Sequence, residues 1–433
     1  MTLSILLSWA ASLALAQSHP LYVPLSDGAN GALHLPDGNP SPTVGVVIVH
    51  RTSNVMNHLG CWELSKRGFA VFCLNTRFEN NEAELDWEKI VLDVKQAVEY
   101  LKKEQRVAKV ILFGHSGGGA TTTFYQAVAE NGPSFCQDPR KLTHCDDSVA
   151  GLPLADGVVL VDAHPAIAVN ALRAMNPAVF DESRPDLLRP DLDPLNPANG
   201  YNPNGKSHYS ADFVKRATAA QARRMNEWID RALYIRELIK LGKWKYPDND
   251  SIIIPRANDR VTNLFSYDTD LLCCTLKPQK LLKDDGTMVT QIIKSVRKPD
   301  PGLAKSNATF NSGARVLTLT SFLSGNAIRA TDSLDYDKID WCSSNNSVPC
   351  ALKSISAPVL IAAMQAHYFI RDSEFFLENA KSADKEFITV EGALHPITPC
   401  KDCVGGPYKN STKIFFDYLA KWMNTRFAAK SGM

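Results

Sequence analysis

Short apolar runs that alternate with helical periodicity constrain this chain more than any other feature. Residues 44–49, 69–74, 107–113, 157–161, 358–363 and 387–390 are each apolar and bounded by turn or polar residues, the pattern of buried strands. Between them, residues 86–103 place Trp87, Ile90, Val91, Val94, Val98 and Leu101 at helical spacing. Residues 120–130 read as a helix closed by Gly132-Pro133. Strands that alternate with helices need right-handed crossovers, so an α/β fold with a mostly parallel sheet is expected.

Residues 163–355 break that rhythm. Loops rich in Pro, Asn and Asp (182–206) lead into one strongly periodic helix, about 211–241, with Ser210 as its N-cap and Gly242 as its C-cap. Val214, Met225, Trp228, Ile229 and Ile235 form its apolar stripe, which a packed core helix accounts for. The whole block reads as an insertion between two strands of the sheet.

Composition excludes several classes. The 47 Lys+Arg nearly cancel the 46 Asp+Glu, leaving a formal charge of +1 and no electrostatic footprint for nucleic acid. The ordinary 45% hydrophobic content argues against disorder. Residues 3–16 are apolar and uncharged and end in Ala14-Leu15-Ala16, so 1–16 is expected to be a cleaved signal peptide, too short for a membrane span. The ten cysteines suit an oxidising compartment. Cys136 with Cys145, Cys342 with Cys350 and Cys400 with Cys403 lie close enough in sequence to close short loops. Cys61 and Cys73 can both be read as small buried apolar side chains, and for Cys73, inside an apolar strand, that reading is preferred. A zinc site is not expected, because no second Cys-x-x-Cys accompanies Cys400 and Cys403. Asn249, Asn307, Asn345 and Asn410 stand in Asn-x-Ser/Thr sequons, which fit passage through the secretory route.

One motif carries chemistry. Gly114-His115-Ser116-Gly117-Gly118 follows a strand directly and precedes a helix directly. Such a junction forces its middle residue into a sharp bend that projects the side chain from the sheet edge. A hydroxyl there becomes a nucleophile once a base takes its proton. The Gly117 amide, at a helix N-terminus, is placed to receive an oxyanion.

On these residues the chain resembles a serine hydrolase of the α/β-hydrolase fold, with Ser116 on the nucleophile elbow. The resemblance covers about residues 17–162 and 356–433. It implies a base after the last strand, and His395 stands there, after 387–390. It implies an acid after strand 358–363, but the sequence there reads Met364-Gln365-Ala366-His367. Asp162, at the end of the preceding strand, is the favoured alternative, with Glu374 and Asp372 kept open. The second oxyanion donor would come from His50-Arg51-Thr52, so Arg51 joins Gly117 there, although an arginine replaces the usual glycine. By the same resemblance, residues 163–355 are a large, mainly helical cap over Ser116. The expected activity is cleavage of an ester, lactone or amide in a bulky small molecule, through an acyl-enzyme. The alternative is a non-hydrolytic member of the fold, either a binding protein or a catalyst of cyclisation or carbon–carbon chemistry. No cofactor motif is present, and the leader, sequons and cap together resemble secreted fungal hydrolases. Oligomeric state is left open.

Overall fold

The structure, a computed structural model, describes residues 20–38, 41–257, 262–303 and 314–428. The expected signal peptide and the sequon at Asn307 lie outside these residues.

Among the described residues, ten strands form one sheet in the order β1 (Leu21–Pro24), β2 (Asn30–His34), β4 (Ala70–Asn75), β3 (Val44–His50), β5 (Lys109–His115), β6 (Gly157–Val161), β11 (Val359–Met364), β12 (Lys385–Val390), β8 (Gln279–Leu282) and β9 (Met288–Gln291). From β4 through β8 every neighbouring pair is parallel, while β1–β2, β2–β4 and β8–β9 are antiparallel. β7 (Ser251–Ile254) and β10 (Arg315–Thr318) pair with each other in a separate antiparallel sheet. Both faces of the parallel strands are covered, which explains why they read as continuous Val, Ile and Leu runs rather than as alternating ones. Val47 and Val49 of β3 pack on one side, with helices α2 (Ile90–Lys103) and α3 (Gly118–Asn131). Val46 and Ile48 pack on the other, with α1 (Leu59–Ser65) and the helix Ser411–Phe427. This mostly parallel sheet, with its helical layers, is the α/β-hydrolase fold.

The segment between β6 and β11 contains the expected long helix, α5 (Ala211–Lys240). Ser210 Oγ accepts from Phe213 N at 3.1 Å, and Gly242, at φ +64°, turns its N–H back to Ile239 O. Trp228, Ile229, Ala232 and Ile235 are buried in a core separate from the two faces of the sheet. Part of residues 163–355 belongs to the main sheet. β8 pairs in parallel with β12, and β9 closes a hairpin on it, so 279–291 extends the main sheet. The short segment Gln279-Lys280-Leu281-Leu282 alternates too little to announce a strand before its partner β12 is known.

All ten cysteines are in disulfides, and the three expected pairs form. Cys61 and Cys73 are not the free apolar side chains expected. They are bonded to each other, because α1 lies against β4 and brings their Cα atoms within 6.3 Å. Cys273 and Cys274, adjacent in the chain, form the fifth disulfide. The sequon at Asn345 is also corrected. That side chain is buried, and its amide donates to Glu88 Oε1 at 2.7 Å and to Thr143 O at 3.1 Å, so it holds the structure together instead of facing solvent. Asn249 and Asn410 are exposed. Among the described residues no helix is long and apolar enough to cross a membrane.

The junction of β5 and α3 tolerates no side chain at two of its glycines. A Cβ on Gly114 would lie 2.5 Å from Gly118 O, and one on Gly118 would lie 2.1 Å from Val49 O. Both obstacles are backbone, which cannot swing aside. Gly118→Ala is therefore expected to destabilise the protein by about 2 kcal/mol or more in urea unfolding, whereas Gly205→Ala, which meets only the end of a flexible side chain, stays within roughly 0.5 kcal/mol.

Candidate active site

Five neighbouring parallel strands, β3, β5, β6, β11 and β12, each carry polar side chains at or just beyond their carboxyl ends, where open α/β sheets bind ligands. β5 brings His115 and Ser116, β6 brings Asp162 and His164, and β12 brings His395; β3 supplies His50 and Arg51, and β11 supplies His367.

Ser116 sits at φ +56°, a left-handed conformation that costs a non-glycine residue roughly 1–2 kcal/mol. Three backbone hydrogen bonds hold it there. Ser116 N donates to Val161 O at 3.0 Å, while Gly119 N and His164 N donate to Ser116 O at 3.2 and 3.1 Å. Asp162 is the second strained residue, at φ +44°, with its N–H bonded to Ala362 O. The two bends turn Ser116 and Asp162 out of their strands toward a common point.

There Ser116 Oγ lies 3.0 Å from His395 Nε2, and His395 Nδ1 lies 2.5 Å from Asp162 Oδ2. The expected serine, histidine and acid thus meet. Asp162 Oδ1 accepts from Met364 N at 3.1 Å. Burial opposes the charge on Asp162, but contacts with His367 and His395 outweigh it and hold the carboxyl below its usual range. The two other acids considered face elsewhere. Asp372 pairs with Arg173 at 3.1 Å and accepts from Tyr336 Oη at 2.6 Å. Glu374 accepts from the backbone of Leu276 and Lys277. His367 stands where an acid after β11 was expected. Its Nδ1 lies 2.7 Å from Asp162 Oδ2, and its ring stacks on His395 with centroids 4.4 Å apart.

Gly117 starts the turn into α3, where no preceding helical carbonyl serves its N–H. Arg51 divides its guanidinium. Nε bonds Glu82 Oε2 at 2.9 Å, while Nη1 reaches to 2.5 Å from where a Gly117 Cβ would stand. His50 is just as close to that point, with Nε2 at 2.6 Å. The His50 Nδ1 atom accepts from Thr52 N at 3.3 Å and Ser53 N at 3.0 Å, so the ring proton belongs on Nε2 and faces Gly117.

Six of the ten histidines gather here. His58 and His115 form a chain behind His395. Gly60 N donates to His58 Nδ1, His58 Nε2 to His115 Nδ1 at 2.9 Å, and His115 Nε2 to the carbonyl of His395 at 2.8 Å. The carbonyl can only accept, which fixes the direction of every bond before it. The sequence assigns base chemistry to His395 alone of the six; His50 and His115 end strands and His164 and His367 follow strands closely, but nothing in the sequence joins them with one another or with His58.

Burial, reinforced by neighbouring positive groups, depresses His50, His115 and His164 well below the ordinary imidazole range. His58 is pushed down to about 4 by burial and by His395. Burial also lowers His367, against the pull of Asp162. Among the described residues, Asp162, His367 and His395 are one group whose donor atoms converge within 4.8 Å, a spacing that suits a metal, although these atoms are already engaged with one another. A cavity of about 900 Å³ is lined by residues of the segment between β6 and β11, including Arg173, Gln221 and Phe265. It is not lined by Ser116 or His395, although Phe265 in its wall packs on Tyr368 beside His367.

Comparison with known proteins gives fold-level likeness alone. No family model matches the chain, and no curated relative does. Among solved structures it is similar to Est1E from Butyrivibrio proteoclasticus, at 11% identity and a TM-score of 0.43 over 95% of this chain and 100% of that one. It is also similar to the α/β hydrolase GrgF from Penicillium sp. sh18, at 10% identity and a TM-score of 0.41 over 95% and 99%. A soluble variant of monoglyceride lipase from Saccharomyces cerevisiae gives 12% and 0.41 over 95% and 96%. At these identities the likeness bears on neither reaction nor substrate.

The depressed histidines predict how stability depends on pH. A base whose folded pKa lies below its unfolded value stabilises the fold fully above the unfolded value and loses that contribution as pH falls toward the folded one. For His58 the window runs from 6.5 down to about 4. Calorimetric Tm should therefore fall steadily from pH 7 to pH 5. His58→Asn, which keeps a capping side chain for α1 and removes the imidazole, should flatten that slope. A wild-type Tm constant across the range would contradict the prediction.

Proposed function

We propose that this protein is a serine hydrolase that cleaves an ester, lactone or amide through an acyl-enzyme on Ser116. The observation that carries the proposal is the unbroken line from Asp162 Oδ2 through His395 to Ser116 Oγ, at 2.5 and 3.0 Å. His395 takes the hydroxyl proton as Oγ attacks the carbonyl carbon, and the carbonyl electron pair moves to oxygen. Asp162 holds the imidazole in the tautomer that leaves Nε2 bare and stabilises the imidazolium that forms. Gly117 N–H, with the Arg51 guanidinium and His50 Nε2–H beside it, supplies the positive surroundings the oxyanion needs. Collapse breaks the bond to the leaving group, which receives the proton from His395. Water then repeats the sequence on the acyl carbon, and Oγ leaves with its proton restored.

The absence of an acid after β11 motivates the non-hydrolytic alternative, and the contact between Asp162 and His395 supports the hydrolytic reading over it. Ile167 beside Gly117 and Phe369 against His164 supply apolar walls, which support a partly apolar small-molecule substrate. The five disulfides support a life in an oxidising, secretory compartment.

A panel of short-chain aryl esters, lactones and anilides tests the activity. Turnover that disappears in Ser116→Ala, with the fold retained by circular dichroism, is expected; turnover indifferent to that substitution would refute the proposal. The same panel ranks the acids. Asp162→Asn should lower kcat by about 10³- to 10⁴-fold. Asp372→Asn should leave kcat within about threefold while lowering Tm, because it leaves Arg173 buried without its charge partner.

A further inference from the structure

Ser116 Oγ has a second imidazole beside it. His164 Nε2 lies 2.9 Å away, as close as His395 Nε2 at 3.0 Å. One hydroxyl carries one proton, so it can donate to only one of the two. His395 is the acceptor, since its Nδ1–H is committed to the Asp162 carboxylate and its Nε2 is therefore bare. For the second contact to be a hydrogen bond, His164 must carry its proton on Nε2 and leave Nδ1 bare. The side chain at Nδ1 meets that requirement, because the amide Nδ2 of Asn170, on helix α4 (Ile167–Arg173), donates to it. Every bond then has one donor and one acceptor. Asn170 donates to His164, His164 to Ser116, Ser116 to His395, and His395 to Asp162.

We propose that His164 is a further catalytic residue of this site, a neutral N–H donor that aims the Ser116 proton at His395 and stabilises the charge on Oγ when the acyl bond breaks. The proposal rests on the hydrolase assignment above. During deacylation Oγ is the leaving group: water adds to the acyl carbon and passes a proton to His395, then the C–Oγ bond breaks with its pair on Oγ. The proton on His395 returns to Oγ, while that on His164 stays in place and only its hydrogen bond strengthens. The ring is held for this task. Its backbone N–H donates to Ser116 O at 3.1 Å, and the tilted ring of Phe369 packs against it with centroids 5.0 Å apart. Burial, with Arg51, His395, His50 and His367 around it, keeps the imidazole uncharged at neutral pH, so it donates without competing for the serine proton.

The test is steady-state hydrolysis of a short-chain aryl ester by the full chain, comparing His164→Leu, His164→Gln and His395→Ala with wild type. His164→Leu removes the donor at similar volume, and kcat should fall about 10- to 100-fold with KM changed by less than about threefold. His164→Gln can return an amide N–H to the same atom and should recover kcat to within about tenfold of wild type. His395→Ala should be more damaged than either. A kcat for His164→Leu within twofold of wild type would overturn the proposal, as would equal losses in the Leu and Gln variants accompanied by a lower Tm. Activity in His395→Ala exceeding that of His164→Leu would make His164 the base and overturn it as well. Wild-type protein without Ser116-dependent turnover would sink the hydrolase assignment itself, and His164's role with it.

Discussion

The backbone at Ser116 is the constraint on which the rest of the site depends. A residue at φ +56° between a strand and a helix stands only where its neighbours leave no alternative. Here Gly118 lets Val49 O approach and Gly114 lets α3 fold back on β5, so the turn is closed by backbone on both sides. The bend in turn lifts Oγ clear of the sheet, to a height that imidazoles from β6 and β12 can both reach. Relaxing the turn would move Ser116 Oγ away from both imidazoles beside it.

Around that point the sheet order performs the assembly. Asp162 and His395 are 233 residues apart in the chain, yet only β11 separates β6 from β12. The histidines add a consistent logic. His58, His115 and His164 each have one accepting and one donating nitrogen set by backbone groups or neighbouring side chains, while His50 accepts two backbone N–H groups at Nδ1. Burial pushes these rings and His367 toward the neutral form, so five imidazoles can sit beside His395 with little added positive charge. The same burial exposes the fold to acid, since each of these rings must gain a proton on unfolding at low pH.

Much of this was legible from the residues. The parallel strands announced themselves as apolar runs, and the glycines around Ser116 marked the elbow. His395 followed from chain order, and Asp162 from a carboxylate at the end of β6. The other histidines were not legible as a group, because their roles arise from partners 48 to 280 residues away that only the strand order brings near. The Cys61–Cys73 disulfide was hidden for a related reason: a cysteine in an apolar strand looks like core until α1 is laid across it. The β8–β9 hairpin is not legible because its strands, four residues each, carry little hydrophobic pattern and depend on β12 as a template. Asn345 shows the converse hazard, a sequon that the packing turns inward.

The central claim is that Ser116 is a hydroxyl made reactive by its surroundings. Covalent labelling with a fluorophosphonate, followed by intact-mass and peptide mass spectrometry, measures this most directly. The account predicts one adduct per chain, carried by Ser116, formed on a scale of minutes and slowed severely in His395→Ala. A folded protein that stays unlabelled, or an adduct on any other residue, would contradict it.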